Sequence, residues 1–354
     1  MQRLPGLDEL RGIAILLVVV SHLQAAFGFE GEAAELLLGP AWGVGVDLFF
    51  VVSGLVVFRS LQTLREQRGA WDAASAFYVR RVARIVPLVW FVAAMLSVGL
   101  LLPASKIAPA DVISALSFAG NAYWATCFAG IPSACGNPLG FGPFWSIATE
   151  MQFYVIAPLL VLVLTRRALI AVAALVLLVG LFLYRPWGGA LWAFRLDAIA
   201  VGLAIGALIG SRPWEHLLGR QASIGNAEVI FWMAVAACLV AILPVVAQSA
   251  ATVVVALICG MIVLRTILRQ TESGAVGRGL AWIGRQSFAL YLVHLPVMSL
   301  AGTFVAEVAG RTSAAVVGIG ASMLIAWLLT QRIGDPLYEM GKAWTNARLV
   351  RVPR

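Results

Sequence analysis

Apolar runs of membrane-spanning length, separated by short polar stretches, recur along the whole chain. A hydrocarbon core takes about 20 consecutive apolar residues per helical crossing, and half-buried strands would instead alternate every second residue. The pattern predicts ten helices, over residues 11–27, 43–60, 84–102, 145–165, 167–184, 194–210, 228–246, 250–267, 284–307 and 313–331. Residues 111–124 are too short for a further span and read as interfacial or re-entrant. Asp8 and Glu9 precede the first run, and Ser21, His22 and Gln24 interrupt it, which points to a retained helix and not a cleaved signal.

Composition sharpens this picture. Of 354 residues, 61% are hydrophobic and 12% charged, with mean hydropathy +0.93; a soluble domain carries about 25% charged residues. A soluble enzyme, a nucleic-acid-binding module and a disordered chain are thereby excluded. The fold class is all-α, a polytopic bundle of about ten transmembrane helices. No linker or internal repeat stands out, so the expected organisation is one membrane domain over residues 1–335. A short basic cytoplasmic tail, 336–354, would follow, with no appended soluble domain.

The net charge of +8 comes from arginines beside the apolar runs. Arg59, Arg65, Arg68, Arg80, Arg81 and Arg84 fill the second loop, Arg166 and Arg167 the fourth, and Arg265, Arg269, Arg278 and Arg285 surround the eighth. Glu30, Glu32 and Glu35 make the first loop acidic. By the positive-inside rule both termini are cytoplasmic, and the basic balance implies a membrane lipid environment and no nucleic acid. Cys127 and Cys135 then lie outside, where a disulfide is expected, while Cys238 and Cys259 read as packing residues.

Ionisable groups inside spans cost roughly 2.5–3.5 kcal/mol each and are candidates for function. They are Arg11, His22, Asp47, Glu150, Arg195, Asp197 and His294. On one continuous helix Arg11 and His22 would share a face about 16 Å apart, suiting a ligand that runs from the inner surface to mid-membrane. His294, near mid-depth, is either a proton acceptor or a buried hydrogen-bonded histidine. Glu150 and Tyr154 share one helical face and Trp145 and Gln152 another. Such a surface suits sugar binding or hydroxyl activation, with an internal packing network as the rival. Asp47 fits a positive helix terminus. Arg81 and Arg84, three apart, can clamp phosphates or serve as snorkelling anchors. Gly202, Gly206 and Gly210 predict close helix packing. No zinc-ligand spacing, nucleotide-binding glycine loop or Gly-x-Ser-x-Gly elbow occurs, so no metal is expected.

Five stretches, taken in order, resemble the membrane acyltransferase-3 family, which includes bacterial O-antigen and other polysaccharide O-acetylases. They are residues 7–14 continuing to His22, 45–54, 80–87, 145–154 and 283–294. The resemblance implies transfer of an acyl group, commonly acetyl from acetyl-CoA, to a hydroxyl of a carbohydrate or glycoconjugate acceptor. It implies a multi-pass protein of the bacterial inner membrane. The family's arginine–histidine motif corresponds to Arg11 and His22, its paired arginines to Arg81 and Arg84, and a third motif to Trp145, Ser146, Glu150, Gln152, Phe153 and Tyr154. Met151 stands where many relatives carry a second acid, and Asp335-Pro336 matches the family's last element only loosely.

The expected catalytic residues are therefore His22, as base or acyl carrier, and Glu150, which would orient the imidazole or position the acceptor. Arg11, Arg81 and Arg84 would bind acyl-CoA. Trp145, Ser146, Gln152, Tyr154, His294, Asp47 and Arg195 would contact the acceptor or the carbonyl. The arginines should lie toward the cytoplasm, with His22 and Glu150 beyond the midplane. A separate periplasmic transferase is a conceivable partner, because some relatives append an esterase-like domain. The rival reading is a proton-coupled transporter or flippase, which acyl-CoA dependence would separate from an enzyme.

Overall fold

The computed structural model describes residues 4, 6–101, 106–128, 136, 138–185, 191, 193–209, 225–242, 248–268 and 274–347. Among these residues all the regular structure is helical, with no strand. In chain order the α-helices are α1 (Leu7–Ser21), α2 (Leu23–Phe27), α3 (Glu32–Leu38), α4 (Gly45–Arg68), α5 (Ala70–Ser97), α6 (Pro109–Leu116), α7 (Gly120–Phe128), α8 (Pro138–Phe141) and α9 (Phe144–Val163). Then follow α10 (Arg166–Phe182), α11 (Asp197–Leu208), α12 (Asn226–Ile242), α13 (Gln248–Ile267), α14 (Ala275–Phe304), α15 (Ala306–Leu329) and α16 (Asp335–Ala347).

Among the described residues six helical segments are long and apolar enough to cross a membrane: Glu32–Arg68, Ala70–Leu101, Phe144–Val163, Ala250–Ile267, Ala275–Phe304 and Ala306–Ala347. The other four predicted spans coincide with shorter helices. α1 has 15 residues, α10 17, α11 12 and α12 17. The outer surface fits lipid. On α9, Val155, Leu159 and Val163 recur every fourth residue at 66%, 64% and 69% exposure, a stripe that water would penalise and acyl chains would not.

Three expectations about the elements change. The first predicted helix breaks at His22, whose backbone (φ −108°, ψ −2°) ends α1 and opens α2. The shared-face relation between Arg11 and His22 therefore does not rest on one continuous helix. Helices α4 and α5 run well past the apolar runs that announced them, because hydropathy marks contact with lipid while the hydrogen-bond ladder needs none. Their polar ends stay ordered by burying Leu61, Leu64, Ala73 and Phe77. A single residue, Gly69, joins them at φ 79°, in the left-handed region that favours glycine. The predicted tail is folded as far as Ala347: after a π-helical turn at Thr330–Gly334, α16 lies against α5.

The interfacial segment 111–124 is two helices, α6 and α7, split where Phe118 takes φ 55°. Cys127 is disulfide-bonded, and Cys135 lies outside the described residues. Cys238 and Cys259 are free; Cys259 is buried, whereas Cys238 is exposed and does not pack in the interior.

Glycine sets the closest helix contacts. A Cβ on Gly202 of α11 would run into the Val51 carbonyl of α4, and one on Gly54 of α4 into the Ile199 carbonyl of α11. Gly206 faces the Phe58 ring, and Gly210 lies outside the described residues. Gly12 and Gly284 play the same part between α1 and α14, against the carbonyls of Leu280 and Asp8. Small residues allow such approach where lipid gives no hydrophobic drive to association.

Gly202→Ala should therefore destabilise the protein by about 1–3 kcal/mol through overpacking. Gly320→Ala, on α15 with nothing within 4 Å of the new methyl, should be neutral or stabilising by up to about 1 kcal/mol. Thermal unfolding of the two variants in detergent checks the contrast.

Candidate functional site

The ionisable residues gather around two cavities. The first, about 90 Å³, is lined by Arg11 of α1, Ser53 of α4, Arg81 and Arg84 of α5, Glu150 and Tyr154 of α9, and Tyr291 of α14. The turn spacing of α5 puts Arg81 and Arg84 side by side. The Arg81 guanidinium stacks 4.8 Å from the Tyr154 ring centre and 5.4 Å from that of Phe77, and its Nη1 donates to the Tyr154 hydroxyl at 3.3 Å. Glu150 accepts hydrogen bonds from the hydroxyls of both Ser53 and Tyr154. Arg11 pairs with Asp8 at 3.1 Å. Three guanidinia against one lining carboxylate leave this cavity positive. Its volume is below the roughly 300 Å³ of a small-molecule pocket, so it suits one end of a ligand.

The second cavity, about 470 Å³, is lined by His22, Gln24, Trp145, Arg185, Arg195 and Thr252, with Tyr291 again in its wall. His22 sits where α1 gives way to α2, and the hydrogen bonds around it fix its tautomer. On His294 of α14, Nδ1 lies 3.1 Å from the Leu290 carbonyl and 2.8 Å from that of Tyr291, so this nitrogen carries the proton and Nε2 is an acceptor. On His22, Nδ1 lies 2.8 Å from the Val18 carbonyl and 3.4 Å from His294 Nε2. The Ser21 hydroxyl also lies 3.1 Å from this Nδ1 but donates its own proton to the Val18 carbonyl, so all three neighbours can accept, His22 Nδ1 is protonated and Nε2 keeps its lone pair. No described residue hydrogen-bonds to that Nε2.

Both arginines of the second cavity are paired. Arg195 Nη2 reaches the two carboxylate oxygens of Asp47 at 2.7 Å each. Arg185 contacts the Asp197 carboxylate at 2.6 and 3.2 Å and donates to the Thr252 hydroxyl at 3.0 Å. All four side chains are less than a tenth exposed. Two positive charges meet two negative ones, and with neutral histidines the wall carries no net charge.

The candidates thus divide between the cavities. Arg11, Arg81, Arg84, Glu150, Tyr154 and Ser146 belong to the first, and His22, Trp145 and Arg195 to the second. Glu150 lines the arginine cavity, hydrogen-bonded to Ser53 and Tyr154, and makes no hydrogen bond to the His22 imidazole. Fully buried His294 supports His22 from behind, and Asp47 acts through Arg195. Gln152 lines neither cavity: it exchanges two amide hydrogen bonds with Asn121, at 2.7 and 2.8 Å, and so ties α9 to α7.

Sequence reasoning passed over Ser53, Arg185 and Tyr291. Val46 and Tyr291 line both cavities, and the Tyr291 hydroxyl lies 2.6 Å from that of Ser146. An arginine in a loop assigned to the outer side breaks the positive-inside bias, and that signal was available for Arg185. A lone serine or tyrosine in an apolar run gives none. Among the described residues no group of three or more His, Cys, Asp or Glu side chains gathers as a metal site.

Comparison with known proteins agrees with the residue pattern. A family described as an acyltransferase domain matches residues 4–331. Peptidoglycan O-acetyltransferase OatA of Listeria monocytogenes is 25% identical over 95% of this chain and 56% of its own length. Putative peptidoglycan O-acetyltransferase YrhL of Bacillus subtilis is 29% identical over 52% of this chain and 29% of its own. A putative O-acetyltransferase of Staphylococcus aureus is 30% identical over 46% of this chain and 26% of its own. The chain thus spans from about a quarter to just over half the length of these relatives. No solved structure matches. Since the match takes in every residue lining both cavities, the chain belongs to the acyltransferase-3 family.

Proposed function

We propose that this chain is a multi-pass O-acetyltransferase of the bacterial inner membrane, moving an acetyl group from cytoplasmic acetyl-CoA to a carbohydrate hydroxyl at the outer face. One observation carries the reading: a positive arginine cavity and a neutral histidine cavity meet at a single wall that contains Tyr291. Phosphates need the first kind of surface and an uncharged sugar the second. The named function of the relatives supports a cell-envelope glycan, such as peptidoglycan, as the acceptor.

Acetyl-CoA supplies an acyl group activated as a thioester. Arg81 and Arg84, helped by Arg11, hold its phosphates through charge-assisted hydrogen bonds, for which planar guanidinia are suited. Glu150 anchors the Tyr154 hydroxyl, and Tyr154 holds the Arg81 guanidinium, so Glu150 sets the shape of the donor end. In the other cavity the Trp145 ring offers an apolar face for a sugar. His22 Nε2 removes the proton from the acceptor hydroxyl as its oxygen attacks the thioester carbonyl; the C–O ester bond forms, the C–S bond breaks, and the leaving CoA thiolate takes the proton from the imidazolium. The proton on Nδ1 stays bonded to the Val18 carbonyl, and His294 Nε2, facing it, steadies the ring while it is positively charged. General-base catalysis of this kind contributes about 10²–10⁴-fold.

Membranes supplied with radiolabelled acetyl-CoA and a glycan acceptor test this. His22→Ala at normal expression should lose at least about 10²-fold in transfer; undiminished transfer would remove His22 as the base. No dependence on acetyl-CoA with any acceptor would favour the transporter reading instead. Glu150→Gln should raise KM for acetyl-CoA and leave KM for the acceptor unchanged, because Glu150 shapes only the arginine cavity. A change confined to the acceptor KM would return Glu150 to the histidine side.

A further inference from the structure

Helix α16 begins at Asp335, beyond the last residue of the family match, and packs along the polar end of α5. Three points on one face make the contact. Nearest the cavity, the Tyr338 ring lies under the Arg84 guanidinium, 5.7 Å from centre to carbon. One turn on, Gly341 crosses Ala83 so closely that a Cβ there would come within 2.7 Å of the Ala83 methyl. At the far end, Arg68 donates to the Thr345 carbonyl at 2.7 Å and to Asn346 Oδ1 at 3.0 Å. Arg80 donates to the Thr345 hydroxyl at 3.0 Å and to Asn346 Oδ1 at 2.9 Å. Two arginines and a glycine contact therefore lock the helix that carries Tyr338.

Arg84 is the lining arginine that most needs such a support. Arg81 is held by Tyr154 and Phe77, and Arg11 by Asp8. Among the described residues Arg84 has no carboxylate within ion-pair distance, and its side chain is exposed. A free arginine carries about 2 kcal/mol of rotamer entropy, lost again when it binds an anion. A carboxylate partner would restrain the side chain but would compete with an incoming phosphate. An aromatic face restrains it without neutralising it and leaves its N–H donors free.

We propose that α16 completes the donor site, with Tyr338 a positioning residue that holds Arg84 ready for the phosphates of the acyl donor. The proposal rests on the reading of Arg84 as a donor-phosphate ligand. The stacking interaction is lost in Tyr338→Leu, which keeps apolar bulk without a ring, and retained in Tyr338→Phe.

The experiment measures steady-state transfer by the full chain in membranes at matched expression, with acetyl-CoA and with acetyl-pantetheine, which lacks the phosphorylated nucleotide. Tyr338→Leu should raise KM for acetyl-CoA about 3- to 30-fold, with kcat within about twofold. Tyr338→Phe should restore the wild-type KM. With acetyl-pantetheine Tyr338→Leu should be indistinguishable from wild type, and added to Arg84→Ala it should cause no further loss. A fall in kcat with both donors, or no rescue by phenylalanine, overturns the proposal and leaves Tyr338 a packing residue. A raised KM in Arg84→Ala beside an unchanged one in Tyr338→Leu overturns it too, with the donor site intact. An unchanged KM in Arg84→Ala removes the donor-site reading itself, and this inference with it.

Discussion

Charge inside a low-dielectric bundle has to be matched residue by residue, and the pair between Asp47 and Arg195 shows how the rest depends on that. Asp47 sits in the first turn of α4, and Arg195 two residues before α11 begins. Asp197 in the first turn of α11 takes Arg185, just past the end of α10. Each carboxylate thus has a guanidinium in front and the positive end of a helix behind. Removing one partner of a buried pair costs about 3–5 kcal/mol, since the other charge is left stranded. The two pairs therefore pin Arg195 to α4 and Arg185 to α11, and both arginines line the larger cavity.

The glycine contacts and the ion pairs act on the same interface. Gly54 and Gly202 bring the backbones of α4 and α11 together, and the Asp47–Arg195 pair closes the end of the crossing. α4 thereby presents Ser53 to one cavity and Val46 to both. α14 does the equivalent on the other side, bringing His294 to His22 and Tyr291 to the shared wall. The functional side chains project from helices that packing holds in register, as a preorganised site requires.

Much of this was legible in one sequence. The helical class followed from apolar run length, and the spacing of Arg81 and Arg84 on one turn placed them together. Gly202 announced a close crossing. What failed did so for physical reasons. Polarity at residues 61–83 and from 336 onward reads as loop and tail, yet a helix needs lipid contact only to cross a membrane, and these segments pack on each other instead. The split of Glu150 from His22 depends on how α9 sits relative to α1, which no period within either helix contains. Gln152 looked like a sugar ligand because its face is polar; its amide is spent on Asn121, far away in sequence.

Tyr291 and Val46 line both cavities and so belong to the wall between them. Displacing one elementary charge through a membrane potential involves about 2.3 kcal/mol for every 100 mV. A continuous column of water and titratable groups would let protons fall down that gradient. Tyr291 and Val46 stand where such a column would have to pass, and a donor thioester reaching from the arginine cavity to His22 would have to pass the same two side chains.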